Sequence, residues 1–121
     1  MEIVYSDDRV KAKIEIVKAS VLDGMRRVRL HFEAEESTEE NLDRRILRRI
    51  TYPDLIAASQ NGSLTIEGVE QTWPPDFETF LKMPEELGIQ WEQKVYELNP
   101  HWLPSQADAS EKKASAIGTG D

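Results

Sequence analysis

The fold is decided by residues 84–102, whose sequence is Pro84-Glu85-Glu86-Leu87-Gly88-Ile89-Gln90-Trp91-Glu92-Gln93-Lys94-Val95-Tyr96-Glu97-Leu98-Asn99-Pro100-His101-Trp102. Large apolar residues recur in this stretch at i, i+4, i+8 and i+11, close to the 3.6-residue period of one helix face. They are Leu87, Trp91, Val95 and Leu98. Pro84 suits a first helical turn, where its missing N–H would have had no partner, and acids follow it at the positive end of the helix dipole. Because Asn99-Pro100 stops the pattern, the sequence predicts an amphipathic helix over residues 84–98.

Residues 20–33 allow two interpretations. A helix would place four apolar residues on one face: Val21, Met25, Val28 and Phe32. A strand would alternate three of them: Val28, Leu30 and Phe32. Ser20 and Asp23 have the spacing of a capping box, whereas Asp23-Gly24 could instead form a tight hairpin turn. We favour a helix over residues 20–35, and the sequence leaves the strand open.

Two further helices are predicted over residues 38–51 and 76–82. Thr38 and Asp76 have the chemistry of N-caps. In the first of these helices one face is apolar, with Leu42, Ile46 and Ile50, and the other is basic, with Arg44, Arg45, Arg48 and Arg49. Arginines among so many acids are usually structural, although this basic face is the best nucleic-acid candidate in the chain. Tyr52-Pro53 should end or kink the helix before a short helical continuation.

Strand patterns lie mainly near the N-terminus. Residues 2–5 and 9–17 alternate apolar and polar side chains, with Ser6-Asp7-Asp8 as turn chemistry between them. One brief strand is expected around residues 64–69, after a chain turn at Asn61-Gly62.

The predicted fold is therefore an α+β domain over residues 1–104, with a small N-terminal β element and about four helices. We expect the following side chains to be buried: Leu42, Ile46, Ile50, Leu55, Phe80, Leu87, Trp91, Val95 and Leu98. Residues 105–121 contain almost no large apolar side chain to offset the entropy of ordering. They are predicted to be a disordered tail.

Composition limits the possible functions. The chain of 121 residues has a net charge of -8, which repels a phosphate backbone, so we expect no nucleic-acid partner. The absence of Cys removes thiolate chemistry and fits a reducing compartment. No apolar run approaches the roughly 20 residues of a membrane helix, and Met1 is followed by Glu2 rather than by a basic leader. We therefore expect a cytoplasmic protein with no membrane partner.

Charge is unevenly placed along the chain. Seven of the eight arginines lie between Arg26 and Arg49, whereas residues 53–103 carry nine acids and only Lys82 and Lys94. The commoner interpretation is that these are solvated faces of one fold. The alternative is a pair of complementary surfaces that join protomers into a homo-oligomer.

Catalytic patterns are lacking. His31 and His101 are the only imidazoles, and neither has a nucleophile or acid that the sequence places beside it. The pairs Glu85-Glu86 and Asp7-Asp8 are expected by chance in a chain with 23 acids. We predict a non-enzymatic protein with no catalytic residue, cofactor or metal site.

Two strings in the chain resemble a known family: Arg48-Arg49-Ile50-Thr51-Tyr52-Pro53-Asp54-Leu55-Ile56-Ala57-Ala58, and Phe77-Glu78-Thr79-Phe80-Leu81-Lys82-Met83-Pro84-Glu85-Glu86-Leu87 running on to Asn99-Pro100-His101-Trp102. They look like small tail-assembly chaperones of long-tailed, siphovirus-like bacteriophages. The resemblance implies a protein of the bacterial host cytoplasm that binds the hydrophobic, helical tape-measure protein and assists assembly of the tail tube. It also implies that a longer, frameshifted form is made. The alternative is an acidic adaptor or inhibitor that binds a basic protein partner.

The partner-binding surface is predicted around the C-terminal helix. Ile89 and Tyr96 are seven residues apart, on a face other than the one predicted to be core. With Trp102 they are expected to form an exposed apolar patch for a helical client or for a second protomer. The alternative is that neighbouring elements cover them.

Overall fold

The computed structural model describes residues 1–103, and the α+β class is confirmed. Pro104 and the predicted tail, residues 105–121, lie outside the described residues. One antiparallel sheet has the order β1-β2-β3-β4, with strands Glu2–Ser6 (β1), Val10–Glu15 (β2), Asn61–Ile66 (β3) and Val69–Gln71 (β4). The helices are Val21–Glu35 (α1), Leu42–Ile46 (α2), Tyr52–Ala57 (α3), Phe77–Leu81 (α4) and Glu85–Leu98 (α5). A π-helical segment, Leu47–Thr51, joins α2 to α3, and a 3-10 turn, Pro100–Trp102, follows α5.

The sheet buries one face against the helices. The hairpin of β1 and β2 forms as predicted. β2 also pairs with β3, although α1, α2 and α3 lie between these two strands in the sequence. Alternate residues of β2 point inward, and their lysine neighbours point to solvent, as a half-buried strand requires. The inward residues of the first three strands include Ile3, Val10, Ala12, Ile14 and Leu64.

The predicted turn at Asn61-Gly62 is wrong, because these residues begin β3. Gly62 pairs with Ile14, and a Cβ there would lie 2.6 Å from the Lys13 carbonyl oxygen and 2.7 Å from the Trp73 ring. The glycine is needed for close packing in a strand rather than for a turn. The turn that joins β3 to β4 is instead Glu67-Gly68, where both residues have positive φ.

The segment that had two interpretations is a helix. Ser20 Oγ accepts a hydrogen bond from the Asp23 N–H at 3.2 Å, and the Asp23 carboxylate accepts one from the Ser20 N–H at 2.9 Å. This reciprocal pair is the capping box that the sequence indicated, and it satisfies two backbone donors that a helix start leaves open.

The helix predicted over residues 38–51 begins later and continues further. Asn41, not Thr38, is the N-cap of α2, and its side chain accepts a hydrogen bond from the Arg44 N–H. Pro53 has no N–H to donate to the carbonyl four residues back. The Tyr52 N–H bonds instead to the Leu47 carbonyl, five residues back, so the chain passes through a π turn and remains helical to Ala57.

Three predicted core residues are exposed: Leu42, Ile46 and Ile50. The prediction is wrong because the side of the helix that carries Arg44 and Arg48 turns inward, with their guanidinium carbons 5.6 and 5.2 Å from the Phe77 ring centroid. The burial of Leu55, Leu87, Trp91 and Val95 is confirmed, whereas Phe80 and Leu98 are only partly buried.

Ser59 connects two tryptophans at the base of this core. Trp91 Nε1 donates to Ser59 Oγ at 2.8 Å, and Trp73 Nε1 donates to the Ser59 carbonyl oxygen at 3.0 Å. The two indole rings stack with centroids 5.6 Å apart. These contacts hold the chain at the start of β3 against α5, the helix that the sequence predicts to decide the fold.

Candidate functional site

The predicted patch of Ile89, Tyr96 and Trp102 does not form as an exposed surface. Ile89 is exposed to 47%, but Tyr96 and Trp102 retain only 9% and 5% of their accessible surface. The expected exposure of Tyr96 and Trp102 is therefore wrong, while a binding role for Ile89 stays a prediction.

Tyr96 is buried because its hydroxyl has a specific partner in the interior. It donates to Asp54 Oδ2 at 2.6 Å, and burial together with this hydrogen bond raises the pKa of Tyr96 well above its usual range. Trp102 is covered by Arg27, whose guanidinium carbon lies 5.1 Å from the ring centroid. Neither partner could be assigned from residue spacing.

Asp54 is the centre of a buried polar cluster. Its carboxylate accepts a hydrogen bond from Arg27 Nε at 2.5 Å and one from Tyr96, and His31 Nε2 lies 3.5 Å from Oδ1. The Asp54 side chain is almost wholly buried. Its partners come from α1 and α5, so the arrangement is suited to holding α1, α3 and α5 together.

This cluster turns inward the side of α1 that carries Arg27 and His31. Arg27 and His31 lie one helical turn apart and point to Asp54, and Ala34 continues the same side as the buried residue of the helix. Leu30 packs against the core beside them. The apolar face that the periodicity identified must then point to solvent.

We call this surface the α1 apolar face. Val21 and Phe32 near its two ends are exposed to 87% and 63%. The full set is Val21, Leu22, Met25, Val28 and Phe32. A shallow, open depression of about 480 Å³ lies along it; all its lining residues belong to α1, and they include Arg26 and Arg29. Isolated exposed apolar residues are ordinary, whereas a contiguous row on one helix makes this face a candidate binding surface.

The sequence located these residues but assigned them no function. Their spacing favoured helix over strand, and an apolar helix face is normally a core face. The missed indication was Asp54, an acid within an apolar segment, which needs a buried cation and obtains it from the opposite side of α1.

A second apolar surface lies between α5, α4 and the π-helical segment. We call it the α5 groove; its volume is about 310 Å³. Its floor includes Leu55, Phe80 and Trp91, and its edge includes Ile89 and Glu92. Burial, and secondarily the Asp54 charge, raises the pKa of Glu92.

The structure also shows where the other candidate catalytic residues from the sequence lie. Asp7 caps the first hairpin turn, because its carboxylate accepts from the N–H groups of Arg9 and Val10 and from the Tyr5 hydroxyl. His101 is exposed on the 3-10 turn.

Among residues 1–103 no group of three or more His, Asp or Glu side chains is placed to hold a metal ion. No helix in that range is both long and apolar enough to cross a membrane.

Two residues of the four-arginine surface are engaged within the fold. Arg44 forms ion pairs with Glu39 and Glu78, and both Arg44 and Arg48 lie over Phe77. Arg45 and Arg49 are exposed, so these contacts occupy two of the four guanidinium groups that a nucleic acid would need.

Comparison with protein-family models, curated proteins and solved structures gives no match to this chain. The α1 apolar face and the α5 groove are therefore interpreted from their own chemistry.

Proposed function

We propose that the protein is a non-enzymatic tail-assembly chaperone that binds a hydrophobic, helical tape-measure client through the α1 apolar face. The supporting observation is the outward orientation of that face on a helix whose opposite side is held inward by the Arg27–Asp54 pair. A phage origin, a bacterial cytoplasmic location and a longer frameshifted form belong to the same proposal.

The α1 apolar face suits a helical client in size and pattern. α1 has 15 residues and is therefore about 22 Å long, which presents several turns to a partner helix. An amphipathic client helix can pack its i, i+3, i+4 and i+7 residues against Met25 and Phe32. The net charge of -8 favours solubility of the resulting complex.

The strings that carry the family resemblance include α3, which packs against α1 and contains Asp54, and also α4 and α5. Asp54 and Tyr96 within these strings orient α1 through Arg27. The resemblance and the exposed face are thus separate supports for one function.

Co-expression with a long apolar helical fragment of a tape-measure type tests the proposal. The double variant Met25→Asp with Phe32→Asp should lose most client solubilisation, because two carboxylates would be buried in the contact. Its circular dichroism and melting temperature should remain close to those of the wild type, since both side chains are exposed.

Val4→Asp is the matched control, because Val4 is an exposed apolar residue on the outer face of the sheet. It should keep the client soluble. A folded Met25→Asp, Phe32→Asp protein that still solubilises the client would exclude the α1 apolar face as the binding site.

The second candidate function is the acidic adaptor that binds a basic protein. It is favoured by exposed carboxylates along α5, namely Glu85, Glu86, Glu92 and Glu97. Such binding would weaken steeply with added salt, whereas apolar client binding would not. Salt dependence of capture therefore separates the two functions.

A further inference from the structure

The α5 groove combines an apolar interior with an acidic edge. Phe80, Met83, Gly88 and Ile89 line it, and Glu85 and Glu92 stand at its margin. Neither carboxylate forms an ion pair with any side chain among residues 1–103. The chemistry that complements this groove is an apolar side chain with a cation beside it.

The same chain presents that chemistry on α1. Met25, Val28 and Phe32 lie on one exposed face of that helix, with Arg26 and Arg29 beside them. Arg26 contacts Asp23 in a partly buried pair, and Arg29 approaches Glu33 in an exposed one. Each guanidinium has five N–H donors, so it can also contact a second carboxylate across an interface. The exposed Arg29–Glu33 pair contributes little and can be exchanged for such a contact.

We infer that the α1 apolar face of one copy docks in the α5 groove of a second copy. The side chains of Met25 and Phe32 would enter the groove, and Arg26 and Arg29 would approach Glu85 and Glu92. The two surfaces share no lining residue, so after the first contact one protomer still has a free α5 groove and the other still has a free α1 apolar face. Contacts of this head-to-tail type build rings or open chains rather than closed two-fold dimers.

This contact has a consequence for client binding. A helical client and a second copy would use the same α1 apolar face, so they would compete. The self-association itself depends only on the two surfaces of this chain and does not require the proposed chaperone function.

The test is a charge exchange between the two surfaces, read as molar mass by size exclusion with light scattering. Wild-type protein should show masses that are multiples of 13.9 kDa and increase with concentration. Glu85→Lys with Glu92→Lys should be monomeric, because lysines would face arginines, and Arg26→Glu with Arg29→Glu should be monomeric, because acids would face acids. Mixing the two variants should restore assembly, since each contact then joins opposite charges.

Glu86→Lys with Glu97→Lys is the matched control. It makes the same change of charge on α5 at residues that do not line the groove, and it should retain the wild-type masses. If the lysine variant in the groove does not fold, Glu85→Gln with Glu92→Gln replaces it, and an at least several-fold weaker association is expected.

Three results would overturn the inference. They are a wild-type monomer at every concentration, groove variants that assemble like the wild type, and a mixture that stays monomeric. Assembly that Phe32→Asp abolishes but the groove variants leave intact would indicate symmetrical pairing of α1 with α1 instead. A monomeric wild type that still solubilises a client would end this inference and leave the proposed function standing.

Discussion

At the scale of single residues, Asp54 is the side chain whose contacts determine how α1 is oriented on the core. Its buried carboxylate is shared by Arg27 and Tyr96, with His31 nearby, and these residues come from α1 and α5. A buried ion pair adds little net stability compared with well-packed apolar residues, but removing one partner leaves an uncompensated charge. The cluster therefore acts mainly as a device that selects which side of α1 faces the core.

Asp54→Ala should lower the free energy of unfolding by about 3 kcal/mol, because Arg27 and the Tyr96 hydroxyl would lose their buried partner. Urea denaturation followed by tryptophan fluorescence measures this change. Adding Arg27→Met to the variant should recover part of the loss, since no unpaired charge would remain. Equal losses in the single and double variants would show that the charge is not what Asp54 contributes.

Glu92 should make stability depend on pH. Partial desolvation at the margin of the α5 groove raises its pKa in the folded protein above the ordinary value of 4.5, so the unfolded chain ionises first as the pH rises. The contribution of Glu92 to the free energy of unfolding is therefore largest at low pH and falls as the pH rises through the folded-state pKa. Glu92→Gln removes this fall.

The free energy of unfolding of Glu92→Gln, measured by denaturant titration, should therefore increase relative to that of the wild type as the pH is raised from about 4 to about 7. The measurement at the low end is an internal control, since the wild-type carboxyl is largely protonated there. A difference between the two proteins that is the same at both ends would contradict the prediction.

At the scale of elements, α1 is unusual because it buries little of itself. Ala34 is its buried residue, and its contacts with the core depend on Leu30 and on the polar side chains that reach Asp54. Helical stability usually comes from a packed apolar face, which α1 lacks. Its N-terminal capping box must therefore contribute a larger share of the stability of this element.

Ser20→Ala should lower the free energy of unfolding by about 1 kcal/mol, because the Asp23 N–H loses its acceptor at the helix start. Amide hydrogen exchange should rise first in the initial turn of α1, residues 21–24. Ser63→Ala, at an exposed serine of β3, is the control and should change exchange in α1 little. Uniform acceleration across the protein in Ser20→Ala would show that α1 does not open separately.

At the scale of the whole molecule, the helices cover one face of the sheet, and they also expose apolar side chains on the side that points away from the core, chiefly on α1 and α2. The α1 apolar face has arginines beside it, and the α5 groove has acids beside it. The uneven charge along the sequence thus corresponds to two different surfaces. The proposed client binding and the inferred self-association both follow from this arrangement.

The sequence by itself determined the elements that depend on local chemistry. The Pro84 start and the Asn99-Pro100 end of α5, the capping box of α1 and the first hairpin all follow from neighbouring residues, whose interactions span a few positions. The burial of Trp91 and Val95 followed from periodicity, because that face of α5 carries the largest apolar side chains of the helix.

Only the tertiary structure decided which faces point inward elsewhere. Tyr96 was predicted to be exposed but is buried, because Asp54 supplies a buried acceptor for its hydroxyl. Ile46 was predicted to be buried but is exposed, because arginines of α2 and the π-helical segment pack against Phe77 and turn the other side of the helix inward. Helical periodicity groups side chains on a face but does not orient that face. Partners that are distant in sequence fix this orientation. For α1 the partner is Asp54, which binds Arg27 and so leaves the apolar side of the helix in solvent.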